Sequence, residues 1–255
     1  MVRRRFESDR NTPLLLTADP FRGKSGKGVK LLYEDDYLMV VDKPSGLLTV
    51  STGKEGETTA YSILTDYVRS QGGRGRGYRR ENRIFIVHRI DRDTSGLLIF
   101  AKDPQTKYDL QDDWNDSIIE RKYVAVVEGI PQKEEGIVIS WLKDNPVTKF
   151  VTSSPTDNGG KKSITHYKVL DTYGTSYSLV EFELETGRKN QIRVHASIMG
   201  HPIAGDRKYG ARSNPIARLA LHAMTISFRH PVTGEPLKFN SGIPVAFRRI
   251  KTQRL

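Results

Sequence analysis

Hydrophobic and polar positions alternate along this chain in short apolar runs, broken at frequent intervals by turn-forming residues. Residues 1–28 are the exception. They hold Arg3 to Arg5, Pro13, Pro20 and the glycines of RGKSGKG, with no apolar pattern beyond the leucines at 14–16. An extended arm is predicted there, because so little apolar surface cannot offset the entropy of ordering the backbone. A folded domain is predicted over 29–255. VKLLY (29–33) and YLMVV (37–41), separated by EDD, read as two strands and a turn. Lys43-Pro44-Ser45-Gly46 closes them, since proline and glycine stop a ladder. Ala60, Ile63, Leu64 and Tyr67 recur at helical spacing, which predicts a threonine-capped helix over 58–69. Residues 70–80, SQGGRGRGYRR, read as a flexible basic loop.

RIFIVHRI (83–90) and GLLIFAK (96–102) read as strands joined through DRDTS. Asp103-Pro104 places a cap and a first-turn proline where a helix prefers them, and that helix is predicted to run to Trp114. KYVAVVEG (122–129) is a strand, and residues 136–142 and 163–184 alternate in the β manner on either side of polar 155–162. RKNQIRVHASIMG (188–200) reads as a helix with Ile192, Ala196 and Met199 as its buried stripe and Gly200 as its stop. LALHAMTISF and PLKF are strands around the turn HPVTGEP. About three helices among many hairpin-spaced strands imply an α+β domain built on a mainly antiparallel sheet. No internal repeat or linker divides it.

Composition adds exclusions. At 36% hydrophobic and 28% charged residues the chain sits in the globular range. No apolar stretch approaches the length of a membrane span, and the N-terminus lacks the apolar core of a secretory signal. Cysteine is absent, which rules out disulfides and thiolate metal sites. A cytoplasmic protein is the default expectation. Charge placement says more. Residues 1–32 carry eight Lys/Arg against three acids, and residues 69–92 carry eight Arg against two, so those blocks hold the whole net charge of +11. Two concentrated blocks point to a polyanion-binding surface. The second is all arginine, whose planar fork suits phosphate contacts and base stacking, and it runs directly into His88.

HRIDRDTSG (88–96) joins two apolar strands, a place where polar groups are often presented to a ligand. From spacing alone the simplest reading is a turn in which Asp93, Thr94 and Ser95 bond their own backbone and Gly96 supplies a permissive torsion. A metal site of His88, Asp91 and Asp93, as in a nuclease, is a second reading, opposed by the two neighbouring arginines. In a third, Asp91 is a nucleophile, since guanidinium groups favour the ionised form of a carboxylate. Arg89 is near in sequence, and the QIRVH helix offers Arg193. One paired carboxylate beside a cationic surface suits chemistry at a nucleotide's glycosidic bond, but spacing does not choose the reaction.

The run HRIDRDTSGLLIFAK closely resembles the catalytic motif of the RluA-type pseudouridine synthases, roughly HRLDxxTSGL. YEDDYLMVVDKPSGLLTV resembles the family's first motif, RKYVAVVEG its tyrosine-bearing segment, LETGRKNQIRVHASIMGHPIAGDRKYG its third motif, and RLALHAMTISFRHPVTGEPL its C-terminal strands. The resemblance covers most of residues 29–245 in the family's order. It implies isomerisation of uridine to pseudouridine in structured RNA, ribosomal or transfer: the base leaves the ribose at nitrogen, rotates, and rejoins through carbon. Asp91 aligns with the catalytic aspartate, Tyr123 with the tyrosine that packs on the uracil and acts as a base, Arg193 with the aspartate's basic partner, and Arg89 with the arginine of base flipping. Extrusion is expected because a stacked nucleotide hides its glycosidic bond. RNA contacts are further expected from Lys43, Arg74, Arg76, Arg79, Arg80, Arg92, Arg188 and Lys189. The reaction implies no cofactor and no metal, and the chain is expected to act as a monomer without an obligate protein partner. Asn190 stands where the family pattern often has His (GRxHQIR), a change expected to touch no catalytic position. Many relatives carry an N-terminal S4-like RNA-binding domain, for which 28 residues are too few. The basic blocks at 1–32 and 69–92 are expected to supply that affinity through phosphate contacts. The alternatives are a non-catalytic RNA-binding protein on the same scaffold and a metal-dependent nuclease.

Overall fold

A computed structural model of the chain describes residues 28–71, 83–112, 114 and 118–250. The predicted arm lies outside these residues apart from Gly28, and so does most of the basic loop, with Arg74, Arg76, Arg79 and Arg80.

The strands are β1 (Lys30–Glu34), β2 (Leu38–Lys43), β3 (Phe85–Ile86), β4 (Ser95–Ala101), β5 (Ile118–Glu128), β6 (Glu135–Asp144), β7 (Val151–Ser154), β8 (Lys161–Tyr173), β9 (Tyr177–Leu184), β10 (Leu221–Arg229) and β11 (Pro236–Asn240). They join in one sheet of order β1-β2-β4-β10-β5-β9-β8-β6-β7, with β11 added to β10 and β3 to β4. The helices are α1 (Ala60–Gln71), α2 (Pro104–Asp112), α3 (Gln191–Ile198) and short α4 (Val245–Arg249). The expected α+β class with a mainly antiparallel sheet is what the chain forms. Among the named strand pairs, β4 with β10 is the parallel exception, over Ser95↔His222 and Gly96↔Ala223.

Local chemistry explains the caps. Thr59 Oγ1 accepts from the Ser62 amide at 3.0 Å, and Asp103 accepts from the Thr106 amide at 2.9 Å ahead of Pro104, each satisfying an orphan donor of a first turn. β4 is buried along its whole length, an interior strand between β2 and β10.

Two expectations need correction, and the β pattern over 163–184 is sharpened. RIFIVHRI pairs only at Phe85 and Ile86. Beyond them side chains replace the ladder: His88 Nε2 accepts the Ile99 amide at 3.1 Å, and Gln111 donates to the Ile86 and Val87 carbonyls. Residues 163–184 fold as the hairpin β8–β9, turning at Gly174 with φ 60°. The helix expected over 188–200 begins at Gln191, because Asn190 takes a left-handed conformation (φ 54°) and stops the helix from starting earlier.

Candidate active site

Asp91 lies in the turn between β3 and β4, and the first motif holds that turn from one side. Thr49 donates to the Ile90 carbonyl at 3.0 Å, Ser45 to the Asp93 carbonyl at 2.6 Å, and the Gly46 amide to the Arg92 carbonyl at 2.9 Å. Lys43 completes the grip from inside. It is fully buried, and its Nζ donates to the carbonyls of Pro44, Leu47 and Arg92 at 2.9, 2.7 and 2.9 Å. Burial lowers its pKa to about 8 against the pull of Asp93 and Asp91, so it keeps its charge at neutral pH. All three ammonium donors are engaged, and the expectation that Lys43 contacts RNA is corrected.

Gly96 seats the other end of the turn. A Cβ there would stand 2.2 Å from the Ala223 carbonyl oxygen, at φ +115°, so only glycine allows β4 to lie this close to β10. Ala223 in turn faces Tyr123 on β5. The pairing row Gly96–Ala223–Tyr123 thereby brings the tyrosine beside the turn, and Asp91 and Tyr123 line one cleft of about 530 Å³ with Thr49, Arg89, Arg188 and Arg193. Burial pushes the Tyr123 phenol above its ordinary value, with Asp91 acting in the same direction and Arg121 against it. The phenol is neutral at pH 7.

Helix α3 brings Arg193. Ile192 and Ala196 pack into the cluster with Val180 and Phe182, while Val194 packs with Leu142, Val151 and Tyr209. His195 ties the helix to the sheet through Thr165 and Ser140 at 2.8 and 3.0 Å. Arg193 is then gripped by Asp206, which accepts from Nε and Nη2 at 2.7 Å each and has a side chain only 1% exposed. This bidentate pair leaves Nη1 to donate to Asp91 Oδ2 at 3.1 Å. Burial opposes the Arg193 charge, yet the hydrogen bonds and charges of Asp206 and Asp91 raise its pKa on balance.

Asn190 also reaches the carboxylate. Its amide lies between Asp91 and Tyr209, and because a carboxylate has no proton to give, the atom 2.7 Å from Asp91 Oδ2 is the nitrogen, with its oxygen accepting from Tyr209 at 2.8 Å. The expectation that this change stays clear of the residues marked by the motif resemblance is corrected: Asn190 meets Asp91. Asp206 and Tyr209 lie in the third motif, and no local spacing signals a role for either.

Of the remaining cations, Arg89, Arg92 and Arg188 are exposed and line the cleft. Arg92 also pairs with Asp93 at 3.1 Å, and Lys189, likewise exposed, pairs with Asp144 at 2.7 Å. His88 is held neutral, at about 3, by burial and then by Arg121, and its Nε2 is occupied by Ile99. Among the described residues no three His, Asp or Glu side chains gather as a metal site, and no helix is long and apolar enough to cross a membrane.

Comparison with known proteins points one way. A family model described as RNA pseudouridylate synthase matches residues 37–197. The chain is 35% identical over 226 residues to ribosomal large subunit pseudouridine synthase D of Zymomonas mobilis, covering 85% of this chain and 69% of that one. It is 35% identical over 222 residues to ribosomal large subunit pseudouridine synthase C of Rickettsia bellii, covering 86% and 70%. The solved structure of human RNA pseudouridylate synthase domain containing 4 shares the fold, with a TM-score of 0.68 at 22% identity over 86% of this chain and 90% of that one.

Proposed function

This chain belongs to the RNA pseudouridylate synthase family, a family of isomerases, and on that premise we propose that it converts particular uridines of a structured RNA to pseudouridine with Asp91 as the catalytic residue. The observation that carries the reading is the carboxylate itself: 31% exposed in the cleft and held by the Asp206-anchored Arg193. Such a group is fixed in place before substrate arrives, which is what positioning a reactive atom requires.

In this reading the target nucleotide leaves the RNA stack and enters the cleft, and Asp91 acts on its ribose, by attack on the sugar or by removal of a ribose proton. Tyr123 packs on the uracil. Its raised phenol pKa disfavours the phenolate a base would need, so stacking is the role its surroundings support. Arg89, exposed at the cleft, fills the stack the base has left, and Arg92, Arg188 and Lys189 meet the flanking backbone. Arg74, Arg76, Arg79 and Arg80 extend that surface in sequence but lie outside the described residues. Residues 29–255 act as the catalytic domain. Relatives named for the ribosomal large subunit favour ribosomal RNA as the substrate over transfer RNA. The protein works in the cytoplasm as a monomer.

The test is a map of pseudouridines in total RNA from cells with the gene, without it, and complemented with Asp91→Asn. At least one site should vanish on deletion and stay absent with the Asn variant. A map unchanged by deletion, or restored by Asp91→Asn, defeats the assignment.

A further inference from the structure

Outside residues 1–32 and 69–92 the sequence is electrically neutral, yet the fold gathers cations there. A second cleft, of about 390 Å³, opens where the end of β6, the start of β8 and the loop after β9 meet, and Lys143, Lys161, Arg188 and Lys189 line it. All four side chains are exposed. The lining includes a single carboxylate, Asp144, and Lys189 already holds it at 2.9 and 2.7 Å. Among the described residues Lys143, Lys161 and Arg188 enter no ion pair, so the cleft keeps three uncompensated charges.

Two further features bear on what it takes. Gly187, Arg188 and Lys189 line this cleft and the catalytic one alike, so the two adjoin at that loop. The walls at Gly159, Gly160 and Gly187 carry no side chain, and at two of them an added Cβ would crowd a neighbouring side chain. A Cβ on Gly160 would come within 2.8 Å of Asn158 Oδ1, and one on Gly187 within 2.8 Å of Arg121 Nη1. Bare backbone beside unpaired ammonium groups admits the close approach of an anionic chain.

Resting on the reading that the catalytic cleft takes a uridine of RNA, we propose that the Lys143–Lys161 cleft is a phosphate-backbone site for the nucleotides flanking the target. The strand leaves the catalytic cleft over Gly187–Lys189, and Lys143 and Lys161 meet its phosphates. Lysine ammonium groups act here as point charges without the fork geometry that reads bases, so the site contributes affinity and register and leaves sequence choice to the catalytic cleft.

The experiment measures binding of a fluorescein-labelled RNA stem-loop with uridines in its loop, by anisotropy, over a series of KCl concentrations. The variant is Lys143→Gln/Lys161→Gln, and Lys133→Gln/Lys168→Gln, two exposed lysines elsewhere, removes the same charge as a control. Loss of two phosphate contacts should flatten the slope of log K against log salt by about 1.4 to 1.8, while the control keeps the slope of the unaltered chain. An unchanged slope in the first variant, or an equal flattening in the control, overturns the proposal. Pseudouridine formation by the unaltered chain is scored separately. Its absence would count against the catalytic reading, while the two slopes would still decide whether this cleft binds RNA.

Discussion

Replacing Asp206 by Asn keeps the side chain's shape and removes its charge, which isolates the grip on Arg193. The carboxylate is 1% exposed and the guanidinium 13%, so water does little to screen the pair. An amide in that place keeps one acceptor and turns a donor toward the other guanidinium nitrogen. A charge-assisted hydrogen bond of about 1.5–3 kcal/mol is lost, and breaking one side of a buried pair costs about 3–5 kcal/mol. The surviving acceptor, and Asp91 at 3.1 Å, put the expected loss at the low end of that range, about 3 kcal/mol. At this chain length each kcal/mol moves Tm by about 2–4 °C, so melting should fall by about 6–12 °C. The catalytic effect has a separate origin. Without Asp206 the guanidinium no longer presents Nη1 to Asp91 in one orientation, and a misplacement of about 1 Å is worth about 100-fold in rate, or about 2.7 kcal/mol. The assay is thermal melting beside single-turnover release of tritium from RNA labelled at uracil carbon 5, the position that gives up its hydrogen when carbon replaces nitrogen. A variant that melts and turns over like the unaltered chain would refute the idea that Asp206 orients the site.

Two further outcomes follow from buried groups. His88, His195 and His222 are depressed to about 3, 4 and 4, each chiefly by burial. An unfolded histidine titrates near 6.5, so the unfolded chain binds roughly three protons that the fold refuses. Stability should therefore fall by up to about 4 kcal/mol per unit as pH drops from about 6.5 towards 4, with no such slope from these groups above 6.5. Equal urea midpoints at about pH 7.5 and about pH 5.5 would contradict this. Gly96→Ala forces a Cβ to 2.2 Å from the Ala223 backbone, and since both strands are interior and paired on both sides, a loss above about 4 kcal/mol is expected. A soluble variant with an unshifted melt would show that β4 and β10 have room to part.

How much of this was legible depends on how far each interaction reaches. The strand periods of β1, β2, β5 and β10 and the caps at Thr59 and Asp103 are local, and the sequence displays them. RIFIVHRI displays the same apolar signal, yet only Phe85 and Ile86 pair. What ends the strand is a competitor 11 residues away, the Ile99 amide that binds His88, and a periodic pattern contains no information about which partner a backbone group will find. The parallel contact of β4 with β10 joins residues 127 positions apart. Its only trace is a glycine in TSG, which reads equally well as a turn residue.

The site divides in the same way. The motif resemblance singles out Asp91, Tyr123 and Arg193, and the fold brings them to one cleft. Asp206 escaped, since its role is set by the 2.7 Å it keeps from Arg193 and by burial that only the assembled domain provides. Lys43 shows the limit from the opposite side. A lysine before Pro-Ser-Gly looks like an exposed cation at a turn, and net charge counts it as one more contact for RNA. Yet the turn at 44–47 and the turn after Asp91 leave three carbonyls converging on one point, and buried carbonyls without a donor are costly. An ammonium group carries enough donors for all three, which is why a charge lies at 0% exposure here. Its influence on the chemistry is therefore mechanical. It pins the Arg92 carbonyl to β2, and with it the reach of Asp91 into the cleft.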